Sequence, residues 1–196
     1  MLSYQSLDRF ARSRKIFLIS FLWGLCEAAF FFIVPDVFFM LIAFINPKKG
    51  MISAFFSVLG SVVGGAIMYA LSSHFPVPMI NFLTCVPLIS IKLIQHVKAS
   101  LILHGFNAMF LAPLHGIPYK IYAVVSAQLN LNPIHFLLIS IPVRLERVVC
   151  LALVCGLLGK IFKRQWVNNS FKCIILYGIL WVSFYIFYAK YILSSY

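Results

Sequence analysis

The sequence predicts an all-α, polytopic membrane protein: two inverted repeats of a re-entrant helical hairpin plus a transmembrane helix, with an additional C-terminal transmembrane helix. Three observations predict it: the scarcity of charge, the interruption of long apolar runs by proline, and the ionisable residues left inside those runs. Of 196 residues, 63% are hydrophobic and 10% charged, and mean hydropathy is +1.00. A water-soluble domain carries roughly a quarter charged residues, so the polar surface needed to cover a soluble globule is missing. The length suits one bundle of about four to six crossings at ~20 residues each. It leaves no room for a second, soluble domain.

The first element runs from Ile16 to Ile45, nearly all apolar and broken at Pro35-Asp36. As one straight helix it would be ~45 Å long, against a hydrocarbon core of ~30 Å. Proline also disfavours helix at the residue before it. Two arms fit better, Ile16–Val34 and a short Val37–Ile45 that is too short to cross. The result is a re-entrant hairpin over about 16–46 that returns to its starting side. Residues 1–15, with Arg9, Arg12, Arg14 and Lys15, form a basic cytoplasmic N-terminus. The run behind them holds Glu27 and no small-residue cleavage site, so it reads as an uncleaved membrane element. Lys48 and Lys49 then join the same cytoplasmic face.

A span over about 50–72 follows. Ser53, Ser57, Ser61 and Gly65 recur every fourth residue beside Gly60-xxx-Gly64, and small residues at that spacing let a second helix approach closely. Gly60, Gly64 and Gly65 are therefore expected to be packing positions. Residues 73–98, interrupted by Pro76, Pro78 and Pro87, read as an interfacial connector, with a short extra crossing as the alternative.

The opening pattern then recurs. Ala99–Ala112 is an apolar arm, Pro113, Gly116 and Pro118 break it, and Tyr119–Leu129 is a second short arm, giving a hairpin over about 99–129. A span over about 134–158 follows. Pro35 and Pro118 are 83 residues apart, and Pro47 and Pro133 are 86 apart. Each break is followed by an ionisable group, Asp36 or Lys120. Paired interrupted segments in corresponding halves point to a transport site near the midplane. The last span covers 173–192.

Charge placement sharpens this. The chain has four acids, Asp8, Glu27, Asp36 and Glu146, against 16 bases. Three acids and three bases (Lys120, Arg144, Arg147) lie in apolar stretches, so the net +12 sits in the flanks. That is a positive-inside and lipid-headgroup signature, with no nucleic-acid stripe. A charge at the bilayer centre costs ~2.5–3.5 kcal/mol on insertion scales, so these six are expected to pair or to work. The expected constellation joins Glu27 and Asp36 to Lys120, Arg144 and Arg147, the two arginines sharing a helix face at i,i+3. Pro142 is expected to open that helix. The blander alternatives are capping for Asp36, snorkelling for Lys120 and a structural ion pair for the arginines. Glu146 points about 160° away from Arg144 and reads as a local partner. His115 lies at a break, while His104 and His135 read as packing residues.

The five cysteines show no CxxC or Cys/His spacing, so no metal site or disulfide framework is expected. No HExxH, GxSxG, P-loop or GxGxxG occurs, and the chain is not expected to be an enzyme or to use a cofactor.

Glu27 through Pro35-Asp36, then Gly60…Gly64-Gly65…Tyr69, then Gly116-Ile117-Pro118-Tyr119-Lys120, then Arg144…Arg147 resemble the DedA superfamily (VTT domain, SNARE-associated Golgi protein family). The likeness spans roughly residues 20–160 and is nearest to a divergent bacterial branch with a PYK-type second hairpin. It implies opposed re-entrant hairpins bearing embedded acids and bases, the bacterial cytoplasmic membrane, and lipid transport, either recycling of undecaprenyl phosphate or phospholipid scrambling. By position, Glu27 and Asp36 match the acids of the first hairpin. Lys120 stands where many members carry the second arginine of GRFxPGxR, and Leu114 replaces the first. Arg144 and Arg147 supply guanidinium groups that grip phosphate bidentately.

The expected function is therefore translocation of an anionic lipid, phospholipid or polyprenyl phosphate, between leaflets. Lys120, Arg144 and Arg147 would hold the phosphate, and Glu27 and Asp36 would exchange protons. Expected partners are anionic membrane lipids and protons, with homo-oligomerisation open. A non-transporting scaffold or assembly factor and a small-ion/proton antiporter are the rival readings.

Overall fold

A computed structural model describes residues 4–112 and 115–195. Pro113 and Leu114, part of the expected second break, lie outside the described residues. Helices account for nearly the whole chain, and no strand occurs among the described residues.

Helix α1 (Tyr4–Arg12) is short and amphipathic, with Ala11 buried. Helix α2 (Lys15–Ala29) ends five residues before the expected Val34, because the N–H groups of Phe30 and Phe31 both turn back to the Cys26 carbonyl. The Trp23 indole N–H donates to the Ile33 carbonyl (3.0 Å), fixing the turn that follows. Helix α3 (Asp36–Ile45) starts directly after Pro35. It returns alongside α2: Phe38 stacks on Trp23 at 5.8 Å, and Ile42 meets Ile16 and Ala11 in one small core.

Helix α4 (Pro47–His74) is the central element, capped by the Asn46 side chain on the Lys49 N–H. It runs parallel to α2 at backbone contact. A Cβ on Gly60 would overlap the Phe21 carbonyl, one on Gly24 the Ser57 carbonyl, and one on Gly64 would lie 2.6 Å from the Leu25 carbonyl oxygen. Only hydrogen at these positions allows such an approach.

The region after α4 differs from the expected connector and arm. Helix α5 (Pro76–Cys85) has 10 residues, ~15 Å at 1.5 Å per residue, too short to cross. Helix α6 (Ile91–His104) begins eight residues before the expected Ala99, because the Ser90 hydroxyl caps the Leu93 N–H at 3.1 Å. Leu93, Ile94, Val97 and Leu101 bury one face of it, and the lysines and Gln95 that mask this periodicity in the sequence occupy the other. Gly105 (φ 55) then reverses the chain through a 3₁₀ turn (Gly105–Asn107) into α7 (Ala108–Leu111). The arm expected over Ala99–Ala112 is thus two segments.

Helix α8 (Tyr119–Gln128) is buried all round from Tyr119 to Ala127. Helix α9 (Pro133–Ile161) packs antiparallel to α4, with Gly156 against Pro47. Pro142 lies inside α9 without breaking it, contrary to the opening expected there. Helix α10 (Lys163–Asn168) leads into α11 (Ser170–Ser195).

Among the described residues, two helices are long and apolar enough to cross a membrane, Pro47–His74 and Ser170–Ile192; the most apolar stretch of the first is 50% buried and that of the second 6%. Helix α4 is therefore the core and α11 the periphery. Helix α9 matches α4 in length but carries Arg144, Glu146 and Arg147 in its middle.

Candidate functional site

The two turns between paired helices, 30–35 and 115–118, face each other beside the middle of α9. Their meeting point is a single hydrogen bond: Lys120 Nζ donates to the Phe31 carbonyl at 2.7 Å. The carbonyl is available because the chain has left the helix there, and α8 presents Lys120 within its first turn. Lys120 is 1% exposed.

Two ion pairs flank it. Arg144 Nη1 lies 3.0 Å from Glu27 Oε2, and Arg147 Nη2 lies 3.1 Å from both Asp36 oxygens. Glu27, Asp36 and Arg144 are buried, while Arg147 keeps 32% of its side chain exposed. The Arg144 guanidinium is seated further. Its Nη1 donates to Ser61 Oγ (3.1 Å), Ser61 Oγ donates to the Gly24 carbonyl (3.2 Å), and Cζ sits 4.1 Å from the centre of the Tyr119 ring. Tyr119 is held in turn by its hydroxyl on Ser140 Oγ (2.8 Å) and by Ser140 on the Phe136 carbonyl (2.7 Å). Arg144 Nε is buried with no hydrogen-bond partner.

All five embedded charges line one cavity of about 410 Å³. Its remaining wall is mainly apolar and aromatic: Phe32, Met40, Leu88 and Met109 on one side, Trp181, Phe184, Tyr185 and Tyr188 of α11 on another. Three bases against two acids leave one positive charge in the cavity. Leu88 contributes from a strained backbone, φ 67, a region bulky side chains rarely occupy.

The structure thus brings together Glu27, Asp36, Lys120, Arg144 and Arg147, but with specific partners: each arginine takes one acid, and Lys120 takes a carbonyl. Pro35 closes the first turn and Pro118 precedes α8. Gly116 (φ 69) sits where a Cβ would lie 2.6 Å from the Tyr188 ring. Gly60 and Gly64 lie against α2, whereas Gly65 lies against Tyr119. Glu146 is exposed and outside the ion pairs found among the described residues. His104, His115 and His135 are exposed as well. No grouping of His, Cys, Asp and Glu able to hold a metal occurs among the described residues.

Sequence reasoning missed the aromatic residues. Tyr119, an aromatic at a helix start, gives no signal of its seat beneath Arg144. Tyr177, Trp181, Tyr185 and Tyr188 do give a signal: spaced by four, four and three, they share a helix face. Tyr177 donates to the Val37 carbonyl (2.8 Å), Tyr185 accepts from the Val34 N–H (2.9 Å), and Tyr188 donates to the Gly116 carbonyl (2.6 Å).

Compared with family models, curated proteins and solved structures, the chain matches none of them.

Proposed function

We propose that this chain is a membrane-embedded lipid translocase that moves an anionic-headgroup lipid, phospholipid or polyprenyl phosphate, between leaflets. The observation that carries the reading is the cavity with both characters: an apolar and aromatic wall suited to hydrocarbon, and a buried lysine in excess over the acids. A buried cation without a carboxylate partner is costly unless an anion visits it.

Further support comes from the surface. Leu103, Val77, Phe187, Ile161 and Leu176 are each more than 65% exposed, an outer face that suits lipid and not water. The 30–35 and 115–118 turns are read as the tips of opposed re-entrant hairpins, tolerated at membrane depth because they line a cavity. The ends of α3 and α9 meet near Pro47 and Phe44, which gathers Lys48, Lys49, Lys160, Lys163 and Arg164 at one end of the bundle. We assign that end to the cytoplasmic face of a bacterial inner membrane. The order of motifs is in keeping with a DedA-like protein. Glu27 and Asp36 are assigned the proton-exchange role.

The experiment is reconstitution in liposomes with a fluorescent anionic phospholipid, with and without a pH gradient. Protein-dependent translocation should occur and should be lost in Lys120→Met while the fold persists. Glu27→Gln and Asp36→Asn should remove its dependence on the gradient. Translocation of no anionic lipid, polyprenyl phosphate included, overturns the reading.

One observation favours a second reading, a non-transporting scaffold: both acids are consumed in direct ion pairs. A scaffold predicts that Lys120→Met changes assembly or partner recovery and no lipid flux.

A further inference from the structure

We propose that α11 is a gate over the charged cavity, a strap latched by tyrosine hydroxyls that moves aside to admit an amphiphile with an anionic head. What passes the gate rests on the translocase reading; the gate itself rests on geometry.

Helix α11 forms one wall of the cavity through Leu180, Trp181, Phe184, Tyr185 and Tyr188. The way it is held differs from the α2–α4 contact at the centre of the bundle. Helices α2 and α4 meet at backbone distance through glycine, whereas an added Cβ on Gly178 of α11 would meet nothing within 4 Å. With Ser170 and Ile192 buried at its two ends, α11 is attached beside the cavity by the tips of long aromatic side chains. Three of these end on backbone atoms at or beside the turns: Tyr177 on Val37, Tyr185 on Val34 and Tyr188 on Gly116. Tyr185 and Tyr188 thus latch the two turns that lie between Glu27 and Asp36 and directly before Lys120.

Such a latch is weak enough to open. A net hydrogen bond shifts an equilibrium by roughly fivefold, while the glycine-mediated contacts would have to break several packed layers at once. The chain also contains a pivot. Asn169, between α10 and α11, has φ −136 and ψ 46, outside the helical region. Trp166 just before it is buried and packs 5.6 Å from Phe44. Rotation about Asn169 would carry the tyrosine face away while α10 stays anchored. When the latch opens, the Gly116 carbonyl and the Val34 N–H lose their partners at the moment the cavity becomes accessible. The incoming head can then use the Val34 N–H as a donor alongside Lys120 and the free Nε of Arg144.

The test uses the full chain in a cysteine-free background carrying Leu151→Cys, a cavity-wall position. The rate at which a membrane-permeant maleimide labels position 151 reports opening without reference to lipid movement. Tyr185→Phe with Tyr188→Phe keeps both rings and removes both hydroxyls, and should speed labelling by roughly tenfold or more. Adding Val34→Cys and Tyr185→Cys, bridged by a short cleavable bis-methanethiosulfonate before the maleimide, should slow labelling of position 151 to the unreactive limit until the bridge is cleaved. Labelling is read by mass spectrometry on the residue-151 peptide and against the Leu151→Cys protein given the same reagent. Labelling that ignores both manipulations overturns the gate. Labelling that responds, with bridged protein also losing fluorescent-lipid flux, supports gate and translocase together. Labelling that responds in protein that moves no lipid in any state keeps the gate and removes the translocase.

Discussion

Lys120 Nζ and the Phe31 carbonyl oxygen, 89 residues apart in sequence, form a 2.7 Å hydrogen bond that joins the two interrupted helix pairs. A lysine at the first turn of one helix here satisfies a carbonyl that the other pair's turn leaves without a helical donor. The bond leaves the ammonium charge uncompensated, and this separates Lys120 from the two arginines.

That separation predicts different outcomes for charge removal. Lys120→Met has nearly the same length and strands no carboxylate, so its thermal stability in detergent should fall by no more than about 1–3 kcal/mol, the cost of an unmade hydrogen bond. Arg144→Met strands Glu27 and should cost about 3–5 kcal/mol. If Lys120→Met is the more destabilising of the two, the paired and unpaired assignments are wrong.

Double-mutant cycles should read the pairing directly. Glu27→Gln with Arg144→Met, and Asp36→Asn with Arg147→Met, should each be less damaging together than the sum of the singles. The Asp36–Arg147 coupling should be the smaller and more salt-sensitive, because Arg147 is one-third exposed and solvent screens it. Crossed cycles, such as Asp36 with Arg144, should show weaker coupling than the direct ones, because those groups share the cavity without touching. Strict additivity in both direct cycles would remove the ion-pair account.

Two glycines should respond to alanine in different ways. At Gly116 the penalty combines a left-handed backbone with contact on the Tyr188 ring, a side chain that can turn away. At Gly60 the new methyl meets the Phe21 carbonyl, which cannot swing away. Gly60→Ala should therefore destabilise by about 1–3 kcal/mol in melts with or without Tyr188→Ala. The loss from Gly116→Ala should shrink in the Tyr188→Ala background.

The end of the bundle where Phe44 and Pro47 meet Gly159 and Gly156 sets an orientation test. Single cysteines at residues 10, 48 and 164 should react with an impermeant thiol reagent from the same side of sealed vesicles. Reaction of position 48 from the opposite side would exclude a first hairpin that returns to its starting face.

What the sequence made legible was the charge cluster and the helix breaks. Glu27, Asp36, Lys120, Arg144 and Arg147 stand out because ionisable groups in apolar runs have few ways to be tolerated. The exact partners did not follow: a balance of signs is silent on whether Lys120 takes an acid or a carbonyl. The stretch 76–112 was misjudged because Lys92, Gln95, His96 and Lys98 dilute its hydropathy while lying on the outer side of a helix whose inner face is regular. The Ser90 cap was the available signal. The role of α11 was hidden for the opposite reason. Its uniform apolarity reads as an ordinary span; the spacing of Tyr177, Trp181, Tyr185 and Tyr188 marks one face, but nothing local shows that the tyrosine hydroxyls reach backbone atoms 72 to 151 residues away.

The seating of Arg144 has a consequence for how this chain can change over generations. The Tyr119 ring is wedged between the guanidinium and Gly65, so position 65 governs the arginine without touching it. A side chain at 65 would push the ring off its seat, and removing the hydroxyl alone would not make room, because the ring carbons are also within 2.7 Å of the would-be Cβ. A lineage that enlarges residue 65 therefore either displaces the Tyr119 ring or shrinks residue 119, and both routes loosen the aromatic face beneath Arg144. Shape thus couples the inheritance of positions 65, 119 and 144.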